Sequence, residues 1–99
     1  MCKRVDFNCG EVLATPGALG ALKRNLVDPW DYLQRHLSCD WGVVCKEDQQ
    51  ANDQALKTGA RILSAYFLPD EIKLWIITDA AIDENGTRAA TTLLLPEEY

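Results

Sequence analysis

The chain has 99 residues, of which 47% are hydrophobic and 25% are charged, and its formal net charge at pH 7 is −5. This length and balance predict one globular domain over residues 1–99 and exclude a disordered chain. The acidic charge argues against direct binding to nucleic acid by phosphate neutralisation, because that mode requires clustered lysines and arginines.

The first half of the chain predicts a short strand followed by three helices. A β-prone run over residues 11–15 ends at Pro16, and a cap residue before a proline is typical of a helix start. The same signature recurs at Asp28-Pro29. The helices are predicted over residues 16–25, 29–37 and 47–57. In the first of them, Leu19, Leu22 and Leu26 are spaced to form an apolar stripe that faces the core.

The last third of the chain changes to a period of two, which is typical of strands. The predicted strands cover residues 61–68, 73–78 and 90–95. A block of strands after the helices predicts an α+β fold rather than an alternating parallel fold. We therefore expect helices on one face of a small antiparallel sheet, made of a C-terminal three-stranded meander plus the short N-terminal strand at its edge.

Several short motifs together point to a protein family. They are Ala14-Thr15-Pro16-Gly17-Ala18-Leu19, Arg35-His36 with Asp40-Trp41-Gly42, Leu63-Ser64-Ala65-Tyr66, Lys73-Leu74-Trp75-Ile76-Ile77-Thr78 and Thr91-Thr92-Leu93-Leu94-Leu95-Pro96-Glu97-Glu98-Tyr99. With them the chain resembles the uncharacterised small "plasmid-related" proteins of bacterial mobile genetic elements. The resemblance implies a bacterial cytoplasmic accessory protein rather than a housekeeping enzyme.

The single histidine is the first candidate for chemistry. His36 and Asp40 lie four residues apart near a helix end, where the carboxylate could orient the imidazole as a general base. The favoured interpretation is a histidine that interacts with the C-terminal end of its helix, because the sequence shows no nucleophile or oxyanion device.

Cysteines supply the second candidate chemistry, a zinc site. Cys9, His36, Cys39 and Cys45 are suitable ligand types, but their spacing is not that of zinc fingers or ribbons, so no metal and no cofactor is predicted.

No apolar run approaches the roughly 20 residues of a membrane span, and the N-terminus lacks a secretory signal. We therefore expect a cytoplasmic protein, without membrane contact, whose cysteines are reduced.

The loop after the second helix is the predicted binding site. Asp40, Trp41, Glu47 and Asp48 form the predicted partner-binding set, with Trp41 as the anchor and the carboxylates facing Arg or Lys of the partner. For Trp30 and Trp75, packing within the protein is favoured over an interface role. The other acidic residues could mimic the charge row of DNA, but interspersed cations favour a solvated surface.

The leading hypothesis is a non-enzymatic, stoichiometric protein-binding accessory protein of a mobile genetic element, such as an anti-defence (anti-CRISPR-like) inhibitor. Its partner would be a protein with a basic surface, for example a bacterial defence nuclease or its complex. One alternative is a small hydrolase or nuclease that uses His36 and Asp40. Another is a homodimer with a structural or regulatory role, formed by pairing of an exposed strand edge.

Overall fold

The computed structural model describes residues 9–99, so the N-terminal segment in which no secretory signal was found lies outside the described part. The elements are β1 (Glu11–Ala14), α1 (Pro16–Arg24), α2 (Pro29–Leu37), α3 (Lys46–Thr58), β2 (Ile62–Phe67), β3 (Lys73–Thr78), β4 (Ala90–Leu94) and a 3-10 turn (Pro96–Glu98). None of the described helices is long and apolar enough to cross a membrane.

The helix ends follow the local signals in the sequence. The Thr15 hydroxyl accepts from the Ala18 amide at 3.2 Å. The Asp28 carboxylate accepts from the Trp30 amide at 2.9 Å. Each side chain thereby satisfies one of the amides that a helix start leaves free. Helix α3 ends at Thr58 and is followed by Gly59, whose φ of +83° is the left-handed conformation that favours glycine.

In the described part of the chain, the sheet has four strands in the order β1-β4-β3-β2. Strands β2, β3 and β4 form the predicted antiparallel meander. Strand β1 occupies the predicted edge position but runs parallel to β4, so the sheet is mixed rather than antiparallel. The strand periodicity indicates which face a residue occupies, but the direction of β1 depends on the path of the chain through three helices.

All three helices pack on one face of the sheet, as predicted. The main hydrophobic core of the protein lies on this face and contains residues from α1, α2 and the three meander strands, including Leu22, Leu37, Tyr66, Ile76 and Leu93. A smaller cluster joins Trp41 and Ala55 to Ile62 beside α3. We call this side the helix-covered face.

The predicted leucine stripe of α1 is wrong at two positions. Leu22 is buried, but Leu19 is 52% exposed and Leu26 is 93% exposed. The helix ends at Arg24, and Leu26 adopts a φ of +55° beyond that end, so it leaves the helical spacing. Ala18 and Ala21 supply the core contact instead, because their small side chains let α1 approach the sheet closely.

Among residues 9–99, no helix packs on the opposite side of the sheet, which we call the open face. Side chains alternate along a strand, so the residues out of phase with the core point to this side. They include Leu13, Leu63, Phe67, Trp75, Ile77 and Leu94. Trp75 is half-buried there, and the ring of Tyr99 packs edge-on against it at a centroid distance of 5.8 Å. Trp30, which was expected to pack internally, is 52% exposed.

Candidate functional site

The loop between α2 and α3 carries the predicted site and is held against the edge of β2. The Val43 amide donates to the Ala65 carbonyl at 2.7 Å, and the Ala65 amide donates to the Trp41 carbonyl at 3.1 Å. Gly42 lies between these bonds with a φ of +75°, and a Cβ there would lie 1.9 Å from the Ala65 carbonyl oxygen. The close approach of loop and strand therefore requires glycine at this position.

Trp41 is buried rather than exposed, so the prediction that it anchors a partner is wrong. It is 5% exposed and packs with Ala55 and Ile62. Its indole N–H donates to the Asp53 carboxylate at 3.0 Å. The side chain is large and apolar with one polar atom, and α3 offers both a surface to cover it and an acceptor for that atom. Trp41 therefore fixes the loop to α3.

Asp40 is exposed and holds the start of the loop. Its carboxylate forms an ion pair with Arg35, with Nε and Oδ2 2.8 Å apart. The same carboxylate accepts from the Gly42 amide at 3.2 Å. Its carbonyl accepts from the Tyr66 hydroxyl at 2.6 Å. The Arg35 guanidinium lies 4.6 Å from the centre of the Tyr66 ring. These contacts define one conformation for the loop backbone.

His36 lies on the helix-covered face in a chain of buried hydroxyl groups. Its Nδ1 lies 2.5 Å from the Ser64 hydroxyl, and its Nε2 lies 2.8 Å from the Thr78 hydroxyl. Thr78 in turn lies 2.8 Å from the Thr91 hydroxyl. Thr91 donates to the carbonyl of Cys9 at 2.7 Å. The network thus connects α2, the three meander strands and the segment before β1.

The order of donors in this network assigns the histidine tautomer. Thr91 donates to a carbonyl, which can only accept, so Thr78 donates to Thr91. Thr78 must then accept from His36, which places the proton on Nε2 and leaves Nδ1 to accept from Ser64. Burial, and secondarily the positive charge of Arg88, lowers the pKa of His36 to about 3. The imidazole is therefore neutral at pH 7.

The structure does not bring His36 and Asp40 together as a catalytic pair. Both ring nitrogens of His36 are occupied by core hydroxyls, and the imidazole is inaccessible to solvent. The Asp40 carboxylate bonds to Arg35 and Gly42 instead. The prediction that His36 interacts with the C-terminal end of its own helix is also wrong. The ring points towards the sheet and bonds to Ser64 and Thr78 instead.

Glu47 and Asp48 lie in the first turn of α3, and both are exposed. Carboxylates are favourable there because the helix dipole is positive at that end. Between them and Asp40 in the chain lies Val43, which is 49% exposed. We call Asp40, Val43, Glu47 and Asp48 the Asp40–Asp48 surface. Sequence reasoning missed Val43, since a valine in an apolar segment gives no signal that its side chain points to solvent.

The cysteines do not form a ligand set in the described part of the chain. Cys9 and Cys45 are free thiols. Cys39 is disulfide-bonded, so the expectation that every cysteine is reduced is wrong for this residue. Among residues 9–99, no group of three or more His, Cys, Asp or Glu side chains is placed to hold a metal ion.

A polar cleft of about 460 Å³ lies between the end of α3 and the loop before β4. Arg88 borders it and is 4% exposed. Its guanidinium donates to the carbonyls of Ala55, Ala60 and Asp79 at 2.7–3.1 Å. The arginine therefore joins the end of α3 to the sheet, and the sequence alone did not assign it this role.

Asn52 is a second structural residue that the sequence analysis missed. Its side-chain amide donates to the Leu63 carbonyl at 2.6 Å and accepts from the Leu63 amide at 3.1 Å. The side chain thus completes the hydrogen bonding of β2 in place of a neighbouring strand. The sequence could have indicated this role, because Asn52 is a polar residue on the narrow side of α3 that is buried.

Fold and site together define a small α+β protein whose loop between α2 and α3 and whose first turn of α3 carry exposed acidic residues. No family model, curated protein or solved structure matches the chain.

Proposed function

We propose that this protein is a non-enzymatic, stoichiometric binding protein whose Asp40–Asp48 surface contacts a protein with a basic surface. The observation that carries the proposal is the fixed backbone of the loop, held by β2 on one side and by α3 on the other. A surface that is already ordered loses less conformational entropy when it binds. Its exposed carboxylates favour a basic partner.

The composition of this surface supports a small apolar contact surrounded by charge. Val43 offers exposed apolar area, while Glu47 and Asp48 form no ion pair among residues 9–99. Asp40 is partly neutralised by Arg35, so Glu47 and Asp48 supply most of the attraction. Trp41 contributes by positioning the loop rather than by direct contact.

A charge-reversal experiment tests the proposal. Tagged protein is used to capture partners from a bacterial lysate, and a captured partner is then purified and titrated. Glu47→Lys/Asp48→Lys is compared with Glu84→Lys/Glu97→Lys, because each pair of substitutions replaces two negative charges with two positive ones and changes the net charge from −5 to −1. We expect a basic partner in 1:1 stoichiometry, with binding reduced about tenfold or more by the first pair alone. Equal effects of both pairs would contradict the proposal.

The resemblance to plasmid-related proteins supports a more specific version of this function. The protein would be a cytoplasmic accessory protein of a mobile genetic element that inhibits a bacterial defence nuclease or its complex, in the manner of an anti-CRISPR protein. Plasmid uptake into hosts that carry or lack the defence system measures this directly. Protection that requires Glu47 and Asp48 is the expected result.

The hydrolase or nuclease alternative draws no support from the geometry, because His36 is enclosed and Asp40 belongs to another network. The homodimer by strand-edge pairing has one available edge among residues 9–99. The loop residues Trp41 and Val43 cover β2, which leaves the outer edge of β1, a strand of four residues. So short an edge gives few backbone hydrogen bonds to a second copy.

A further inference from the structure

We propose that two copies of this chain associate through their open faces, with the two-fold axis parallel to the strands. The open face is lined by apolar side chains. Ile77 and Leu94 at its centre are already buried within one chain, at 8% and 6% exposed, so the accessible apolar area comes from Leu13, Leu63, Phe67, Trp75 and Tyr99. Leu13 is 43% exposed, although it lies in a strand. Two such faces would pack about 10 Å apart, as in a β-sandwich.

The strand register places opposite charges at the two edges of this face. Glu11 pairs with Ala90 in β4, and the Asp79 amide donates to the Ala90 carbonyl. Because Ile62 pairs with Thr78, the next row brings Arg61 beside Asp79. Glu11, Ala90, Asp79 and Arg61 therefore form one row across the sheet. Glu11 occupies the β1 edge, and Arg61 occupies the β2 edge.

Rotation about an axis parallel to the strands lays β1 of one copy over β2 of the other. It therefore brings Glu11 of each copy opposite Arg61 of its partner, twice in one symmetric interface. The next row brings Leu13 opposite Leu63 and Thr92 opposite Ile77, and the row after that brings Trp75 opposite Leu94. Asp79 meets the uncharged Ala90. The face is thus complementary to itself in charge and in apolar character.

Within one chain, Glu11 and Arg61 are separated by two strands and cannot pair. The Arg61 guanidinium lies instead 5.6 Å from the ring centre of Tyr99, and its Nη1 donates to the Tyr99 hydroxyl. Tyr99 is 71% exposed on top of the face and would lie between the two sheets. Lys73 and Phe67, which contact each other at the far end of the face, would form the rim.

Sedimentation equilibrium of the full chain up to about 0.5 mM tests the proposal. We expect a monomer–dimer equilibrium that Leu13→Asp weakens by about tenfold or more. Leu19→Asp is the matched control, because Leu19 is a similarly exposed leucine on α1. Circular dichroism checks that both variants are folded before their association is compared. A chain that stays monomeric throughout this range, or one whose association responds equally to both variants, would overturn the proposal.

A mixing experiment tests the arrangement of the charges. Glu11→Arg and Arg61→Glu should each self-associate about fivefold or more weakly than the wild type, because like charges then face each other. When the two variants are mixed, each charge meets its opposite, so the heterodimer should form with the wild-type affinity. No recovery on mixing would contradict the two-fold axis. The result is independent of Glu47 and Asp48, so it does not decide the function proposed for them.

Discussion

The indole N–H of Trp41 donates to the carboxylate of Asp53, 12 residues later in the chain, at 3.0 Å. This bond joins the loop after α2 to the middle of α3, and the buried indole fills the space between them. The Asp40–Asp48 surface therefore depends on a side chain that does not itself reach solvent. A buried residue can thus determine the conformation of an exposed surface.

Replacement of Trp41 should cost far more stability than replacement of another tryptophan. We expect Trp41→Ala to lower the free energy of unfolding by about 3–5 kcal/mol, because it removes a buried aromatic and leaves a cavity. Trp30→Ala is the matched control and should cost less than about 1 kcal/mol, since Trp30 is 52% exposed. Urea denaturation followed by circular dichroism measures both values. Similar losses would contradict the structural role of Trp41.

Substitution of Gly42 and Gly86 distinguishes the conformational cost of a side chain at positive φ from the cost of a steric clash. Both have positive φ, but a Cβ at Gly42 would meet the Ala65 carbonyl, whereas one at Gly86 would meet no atom within 4 Å. We expect Gly86→Ala to cost about 1 kcal/mol from conformation alone. Gly42→Ala should cost about 3 kcal/mol or more, because the loop must also move away from β2. Thermal unfolding of the two variants gives the comparison, and equal costs would mean that the loop is not held closely.

The sequence predicted local structure better than side-chain environment. The caps at Thr15 and Asp28 and the two-residue periodicity of the strands are local signals, so the helices, the meander and the α+β fold were predicted correctly. The direction of β1 and the burial of Trp41 depend on contacts between residues distant in the chain. A tryptophan beside a glycine looks the same in a sequence whether another helix covers it or not. The surface role of Asp40, Glu47 and Asp48 stays a prediction.

Arg88 should be more sensitive to conservative replacement than an exposed arginine. Its guanidinium donates to three carbonyls that lie in different directions, which a lysine ammonium on a flexible stem cannot reproduce. We expect Arg88→Lys to lower the free energy of unfolding by about 2–3 kcal/mol, since buried acceptors lose their partners. Arg24→Lys, on the exposed side of α1, should have little effect. Chemical denaturation distinguishes the two, and tolerance of Arg88→Lys would contradict this role.

The stability of the protein should decrease as the pH falls below neutrality, because His36 is buried in its neutral form. Its pKa is about 3 in the folded chain and about 6.5 in the unfolded chain. Between these values the unfolded state binds the additional proton, so the stabilisation is fully present above pH 6.5 and is lost progressively towards pH 3. From pH 7 to pH 5 this one group should cost about 2 kcal/mol.

His36→Gln isolates that contribution from the carboxylates. Glutamine has no titratable proton, so the loss between pH 7 and pH 5 should be smaller in the variant by about 2 kcal/mol, although the variant is less stable at pH 7. The carboxyl groups of Glu98 and Asp83, whose pKa values are lowered by hydrogen bonds, affect both proteins alike. Urea denaturation at the two pH values measures the difference. Parallel pH dependences would mean that the imidazole is accessible to protons in the folded protein, contrary to its enclosure by Ser64 and Thr78.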